Sequence, residues 1–277
     1  MIPDIYYYFW NGGNFQYVYY LSIVSLLQTS HPQRVEIYYK VEPQNNPYWN
    51  KLKAFPQVHC IPLDFDALLR GIDEDPKTFE VFFRKAKGNH LSDFFRYIVL
   101  KKGGGVYLDF DTLVIKDLTP LLATSFFAGE QHPDGIGNTV NGAILGAEAH
   151  HPILDTFISC IRDAEGLLAL FQRKNFRKGL LRKFFFRYLH WCDVGPTLLS
   201  EQTASEAFSG VIHPRAYFYF FDYRAWEQIF EDRACPEDAY ILHYWGSQST
   251  AYTQGIDEKY IQEEPSLFAK IARSHYA

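Results

Sequence analysis

The 277-residue chain predicts an α/β fold with a mostly parallel sheet covered by helices on both faces. Two observations carry this expectation. Apolar runs bounded by turn residues alternate with helix-period segments through residues 4–63. A hydrophobic fraction of 47% with 21% charged residues also supplies a large core without the bias of a disordered or fibrous chain. The length suits one domain over 1–277, with extra elements inserted in its C-terminal half.

Residues 4–10, DIYYYFW, end at the turn signal Asn11–Gly13 and read as a first buried strand. From Tyr17 to Gln28 the period is helical, with Leu21, Val24 and Leu27 or Ser25 on one face, and TSHP stops it. RVEIYYK (34–40) and QVHCIPL (57–63) are the next strands; between them a short helix opens on Pro47, a residue suited to a first helical turn. Residues 64–88 read as polar and irregular. A helix from about Leu91 to Lys102 closes on glycine, and VYLDF, TLVI, SFFAGE and NGAILGAE follow as short strands. HHPILDTFISCIRD is helical, with Ile153, Phe157, Ile158 and Ile161 inward. AYFYFF and AYILHYW read as strands, and a helix near 258–275 closes the chain.

With 24 Phe, 20 Tyr and 5 Trp the chain has aromatic rings to stack on bases and sugars as well as to fill a core. A net charge of −5 excludes a general nucleic-acid binder. Cys60, Cys160, Cys192 and Cys235 are widely spaced and signal neither a zinc site nor a disulfide framework. Reduced thiols, the lack of a leader in MIPDIYYYFW and the lack of an 18-residue apolar run give a cytoplasmic expectation. Basic and aromatic residues interleave over 173–191, which reads equally as peripheral contact with an anionic membrane or as the solvated face of a packed helix.

The chemistry concentrates in GGGVYLDFDTLV, residues 103–114. Strand alternation puts Asp109 and Asp111 on one face at the carboxyl end of a strand, where ligands collect in open α/β sheets, with Phe110 turned away. Two like charges this close need a positive partner. A hard divalent ion, Mn²⁺ or Mg²⁺, takes two such oxygens and keeps positions for substrate phosphates. The plainer reading is a pair that caps a turn. Asp93 and Arg96 share a helix face with Tyr97 and Leu100, either as a surface ion pair or as groups for sugar hydroxyls and phosphate. Gly103–Gly105 read as a helix end, or as a sharp turn that leaves room beside the site.

Asp93, Arg96, Tyr97, Leu100, Gly104 or Gly105, Tyr107, Asp109 and Asp111 together resemble the signature of the DXD-motif sugar transferases, glycosyltransferase family thirty-two, of the capsular-polysaccharide and α-glycosyltransferase type. The N-terminal Ile2, Pro3, Ile5, Tyr8, Trp10 and Gly12 resemble that family's opening, as do NGAILGAEAHHPIL, DVGP and ILHYWGSQS its later motifs. The resemblance implies a single GT-A, Rossmann-like domain, with a nucleotide-sugar half (1–115) and an acceptor-side half (116–277). It implies a UDP-sugar donor, one Mn²⁺ or Mg²⁺, a glycan or glycolipid acceptor and retention of configuration. Residue by residue, it implies Trp10 and Tyr8 at the base, Asp93 and Tyr97 at the ribose or donor sugar, and Arg96 approaching the donor. Asp109 would meet ribose or metal, Asp111 would be the main metal ligand, and His243 or Ser247 would complete the coordination or touch the diphosphate. Glu130, Asn141 and Asp193 are the polar candidates near the donor carbon, each with an ordinary hydrogen-bonding alternative, and His243 has a packed-core alternative. Departures are Tyr7 for His, Asp4 for Lys and Gln248 for Trp. The last bears on whether the C-terminal segment closes over the diphosphate. Acceptor loops are sought in 64–88, 131–140 and 204–238. A silent sugar-nucleotide-binding module is the alternative from another class. A glycoside hydrolase is a weaker one, because it needs two carboxyls about 5–9.5 Å apart flanking the bond.

Overall fold

The computed structural model describes residues 1–86, 88–132, 139–173, 194–205 and 208–275. Among them nine strands form: β1 (Ile5–Trp10), β2 (Arg34–Tyr39), β3 (Val58–Pro62), β4 (Gly105–Leu108), β5 (Thr112–Val114), β6 (Phe126–Glu130), β7 (Val140–Ala147), β8 (Val211–His213) and β9 (Ile241–His243). Seven make one sheet in the order β3-β2-β1-β4-β7-β6-β8, while β5 and β9 pair separately. Only β7 runs against its neighbours in the large sheet; every other pairing there is parallel. The α/β class and the mostly parallel sheet are therefore as the sequence predicts.

Aromatic alternation in β1 explains why helices lie on both faces. Tyr6, Tyr8 and Trp10 enter one core with Val18, Leu21 and Leu27 of α1 (Tyr17–Ser30). Tyr7 and Phe9 enter the other. A strand buried on both sides must be apolar throughout, and each ring taken from water contributes about 1.5–3 kcal/mol. Between β2 and β3 lies α2 (Pro47–Leu52), whose first turn is capped by Asn46 accepting from the Tyr48 and Trp49 amides.

Residues 64–88 are more regular than expected. Asp64 caps α3 (Phe65–Arg70) by accepting from the Ala67 amide, and Asp75 caps a 3₁₀ turn at Pro76–Phe79 that leads into α4 (Glu80–Lys85). Leu68, Leu69, Phe79 and Phe82 bury against α5 (Gly88–Gly103), so polar capping residues concealed short helices. After β7 come α6 (Pro152–Arg173) and α7 (Pro196–Thr203). The strand expected over 216–221 is instead a helical turn, α8 (Arg215–Phe218), followed by loop; its ring density reflects burial of Phe218 and Tyr219, not a pleat. The terminal helix is divided. After α9 (Gly246–Thr253), α10 (Glu258–Glu263) stops at Glu264, which is extended as a residue before proline prefers, and Ser266 caps α11 (Leu267–Arg273).

The glycines at 103–105 serve the turn from α5 into β4 and lie at the opposite end of that strand from the aspartates. Gly104 and Gly105 have φ of +64° and +120°. A Cβ on Gly104 would stand 2.6 Å from the Ala149 amide nitrogen, and one on Gly105 would collide with the Ile5 carbonyl oxygen. The room they make is for β1 and Ala149, a correction to the expectation that it lies beside the site. No disulfide joins the described cysteines Cys60, Cys160 and Cys235. No helix among the described residues is long and apolar enough to cross a membrane. Residues 174–191 of the basic stretch and Asp193 lie outside the described residues.

Gly105→Ala combines a positive φ with a backbone collision. It should lower the free energy of urea unfolding by about 2 kcal/mol or more; an unchanged midpoint would contradict the close β1–β4 approach.

Candidate active site

Strand β4 ends at Leu108, so Asp109, Phe110 and Asp111 form the turn into β5 instead of continuing the strand. The two carboxylates nonetheless reach one side, because the turn is tied at every carbonyl. The Asp109 amide donates to Ala143 O at 2.8 Å, continuing the β7 ladder by one bond. The Thr112 hydroxyl donates to Asp109 O at 2.8 Å, the Tyr244 hydroxyl to Phe110 O at 3.0 Å, and the Tyr244 amide to Asp111 O at 2.9 Å. Phe110 turns away into the aromatic layer of Tyr8, Trp10, Phe15 and Tyr19.

Antiparallel pairing of β5 with β9 sets His243 opposite Thr112, beside Asp111. Ligand atoms of Asp109, Asp111 and His243 all lie within 4.8 Å of one another, and His243 Nε2 is 3.3 Å from Asp111 Oδ1. The Gly246 amide at the start of α9 donates to Asp111 Oδ2 at 2.6 Å. Trp245, which precedes it, adopts φ 55° and ψ 59°, and its indole donates to Phe221 O at 3.0 Å. A left-handed conformation is costly for so large a residue. That turn is what aims the Gly246 N–H at the carboxylate.

Behind Asp109 lies the second charged pair. Arg96 stands 3.0 Å from Asp93 Oδ1 and 3.6 Å from Asp109 Oδ1, with its guanidinium 4.5 Å above the Tyr107 ring. Its Nε donates to Ser92 O at 3.3 Å and the same Nη2 that meets Asp93 donates to Ser92 Oγ at 3.1 Å, and the Tyr107 hydroxyl donates to Asp109 Oδ1 at 2.5 Å. The side chains of Arg96 and Asp93 are 4% and 8% exposed, against 30% for Asp109 and 19% for Asp111. The first pair is sealed; the second faces open space. Glycines make this packing feasible: a Cβ on Gly142 would collide with the Arg96 guanidinium, and one on Gly195 would stand 2.6 Å from Asp93 Oδ2.

Charge balance sets the protonation tendencies. Burial pushes the Asp93 carboxyl up to about 6 against the pull of Arg96. Burial also raises Asp109, opposed by Arg96 and reinforced by the charge on Asp111. Asp111 is held below its ordinary range because His243 and the Gly246 amide together outweigh its burial. Two carboxylate charges within 4.8 Å of each other repel by about 3.5 kcal/mol or more at an effective dielectric near 20. Arg96 meets Asp93 and Asp109, and with Asp111 beside them the ionised cluster carries three carboxylates to one guanidinium. Hard oxygens plus one imidazole nitrogen, open on one side, fit a divalent cation such as Mn²⁺ or Mg²⁺.

Beside this cluster is a cleft of about 310 Å³ lined by Phe9, Trp10, Asn11, Gly12, Tyr19, Gly88, Asn89, Ser92, Phe110, Asp111, Gly246, Ser247 and Thr250. Of the residues expected at a donor, it brings together Trp10, Asp111 and Ser247. Tyr8 and Tyr97 lie fully buried instead; Tyr97 donates to Val194 O at 2.9 Å. Asp93, expected at the ribose or donor sugar, is paired with Arg96 and does not line the cleft. Asn141 already spends its amide, donating to Gln131 Oε1 at 2.7 Å and accepting from the Ala143 amide at 2.8 Å. Glu130 closes β6 opposite Val140. Sequence reading missed Tyr107, Thr112 and Ser92 as supports, and the glycines at 142, 195 and 246. Their signal was available only as small or hydroxylic residues inside motifs already singled out.

The carboxyl ends of β1 and β4 thus carry an aromatic cleft, lined by Asp111, beside an Asp–Asp–His cluster, the place where ligands collect in open α/β sheets. Residues 16–128 match the model of a family described as the glycosyltransferase sugar-binding region containing the DXD motif. Lactosylceramide 4-alpha-galactosyltransferase of Rattus norvegicus is 26% identical over 250 residues, covering 83% of this chain and 63% of that protein. Its Homo sapiens counterpart is 27% identical over 212 residues, covering 72% and 54%. The chain thus spans between about half and two thirds of the length of these relatives. The solved PaToxG glycosyltransferase is 17% identical, with a TM-score of 0.49 over 74% of this chain and 70% of that one. Over residues 16–128 the chain is similar to the DXD-motif sugar transferases, and its mostly parallel α/β sheet is of the class expected from that similarity.

Asp93→Ala leaves the buried Arg96 guanidinium without its nearest partner and should cost about 3–5 kcal/mol in denaturant unfolding. A loss of less than about 1 kcal/mol would mean that the pair is not structural.

Proposed function

We propose that the protein transfers a hexose from a UDP-sugar to a glycan or glycolipid acceptor, with retention of anomeric configuration. The observation that carries this reading is the cluster of Asp109, Asp111 and His243, of which Asp111 lines the Trp10 cleft. In it, 1–277 works as one domain, donor side 1–115 and acceptor side 116–277. The name of the mammalian relatives supports a galactosyl donor and a glycolipid acceptor. An α-linked product is what retention gives from an α-linked nucleotide sugar.

Asp111, Asp109 and His243 hold the cation, Mn²⁺ or Mg²⁺, which when bound supplies positive charge for the departing diphosphate. The chain's own groups do the rest. Trp10, Tyr19 and Phe110 form an apolar wall on which a flat base stacks. Ser247 and the first turn of α9 present a hydroxyl and the positive end of the helix to the phosphates. Arg96 acts from behind Asp109, favouring its ionised form without meeting the donor, a different role from the direct approach expected of it. Asn141, held by Gln131 and Ala143, is a fixed polar group on the acceptor side of the turn.

The reading is tested by UDP release from UDP-galactose and UDP-glucose, and by GDP release from GDP-mannose, each with Mn²⁺ and then with excess EDTA. Mn²⁺-dependent release from one UDP-sugar is expected. Asp111→Asn should retain its far-UV spectrum yet lose at least about 90% of that release, since an interaction aimed at developing charge is worth about 10²–10³ in rate. Release by the variant at the parental rate would remove Asp111 from the chemistry.

A further inference from the structure

Helix α1 is apolar on nearly every side, yet it buries three serines, Ser22, Ser25 and Ser30, at 0%, 1% and 7% exposure. A buried hydroxyl needs a partner, and each of these finds one in the segment that follows the aspartates. Ser30 Oγ accepts from the Leu118 amide at 3.0 Å, and Ser25 Oγ accepts from the Val114 amide at 2.9 Å while giving its own proton to Ser22 O at 2.8 Å. Ser22 Oγ meets Thr112 Oγ1 at 3.3 Å, and Thr112 is itself 0% exposed. A hydroxyl has one proton, and that of Thr112 goes to Asp109 O. Ser22 must therefore be the donor of the pair, which gives one directed chain from Ser22 through Thr112 to the Asp109 carbonyl.

This arrangement does something that strand pairing cannot. β5 pairs with β9 on one edge, and the Val114 amide, left without a strand partner, is met by the Ser25 hydroxyl of α1. The DFD turn is then fixed from the α1 side by Thr112 and from the C-terminal side by Tyr244. We propose that Thr112, held by Ser22, is a positioning residue for the Asp109–Asp111 pair, so that cation affinity depends on a buried hydroxyl that touches neither cation nor substrate. The inference rests on the cation reading of the site. It goes beyond that reading by assigning α1 a part in the cation site.

The test is Mn²⁺ affinity of the full chain, read as free Mn²⁺ by electron paramagnetic resonance, for the parent, Thr112→Val and Thr112→Ser. The first variant keeps the shape and removes the hydroxyl; the second keeps the hydroxyl. Partners outside the ligand set are worth about 10–100-fold in metal affinity, so Thr112→Val should bind at least about tenfold more weakly while Thr112→Ser stays within about twofold of the parent. Thermal unfolding is followed alongside. A Thr112→Val protein that is folded, whatever its melting temperature, and binds Mn²⁺ as the parent does overturns the inference alone. A parent that binds no Mn²⁺ overturns the cation reading and the inference with it. Should Thr112→Val fail to fold, Ser22→Ala decides: weaker binding supports the chain of hydroxyls, and parental affinity overturns it.

Discussion

The arrangement of the cleft depends on keeping two carboxylates side by side at the end of a buried strand. Left alone, Asp109 and Asp111 would repel, and one would take up a proton. The fold answers with the Arg96 charge behind Asp109, and beside Asp111 with the His243 imidazole and the Gly246 backbone amide. The two answers differ in kind. Arg96 is sealed among Asp93, Ser92 and Tyr107 and stays where it is, whereas the side of the pair facing the cleft is left open.

That demand explains features which otherwise look unrelated. Gly142 and Gly195 lack side chains because the Arg96–Asp93 pair fills the space a Cβ would take. Trp245 accepts a left-handed backbone because only then does the next amide reach Asp111. The small sheet of β5 and β9 joins residues 112 and 243, bringing an imidazole from the C-terminal part of the chain to a motif made by its first half. Burial of charge is expensive, and the structure repeatedly uses glycine, serine and tyrosine to make that burial tolerable.

Much of this was legible in the sequence, for physical reasons that can be named. The first three strands and α1 follow from runs of aromatic and branched residues between turn signals, and the Asp pair from two charges in an apolar run. Where the reading failed, tertiary contacts outweighed local pattern. AYFYFF has strand composition, but Pro214 precedes it and Phe218 and Tyr219 are drawn into the core from a helical turn. Asp64 and Asp75 made a helical region look polar because capping requires polar residues. Asp93 belongs to the motif without being open to the cleft, and motif membership alone does not separate a ligand-binding carboxylate from one that holds an arginine. Tyr8 and Tyr97 are alike in this: their position in a motif suggests the site, while packing places their rings in the cores.

Binding of a nucleoside diphosphate by this carboxylate pair and its cleft through a divalent cation can be read by titration calorimetry of UDP against the intact chain with and without Mn²⁺. UDP binding that requires Mn²⁺ and disappears when EDTA is in excess is the expected result. Equal binding in both conditions, or none in either, would contradict it.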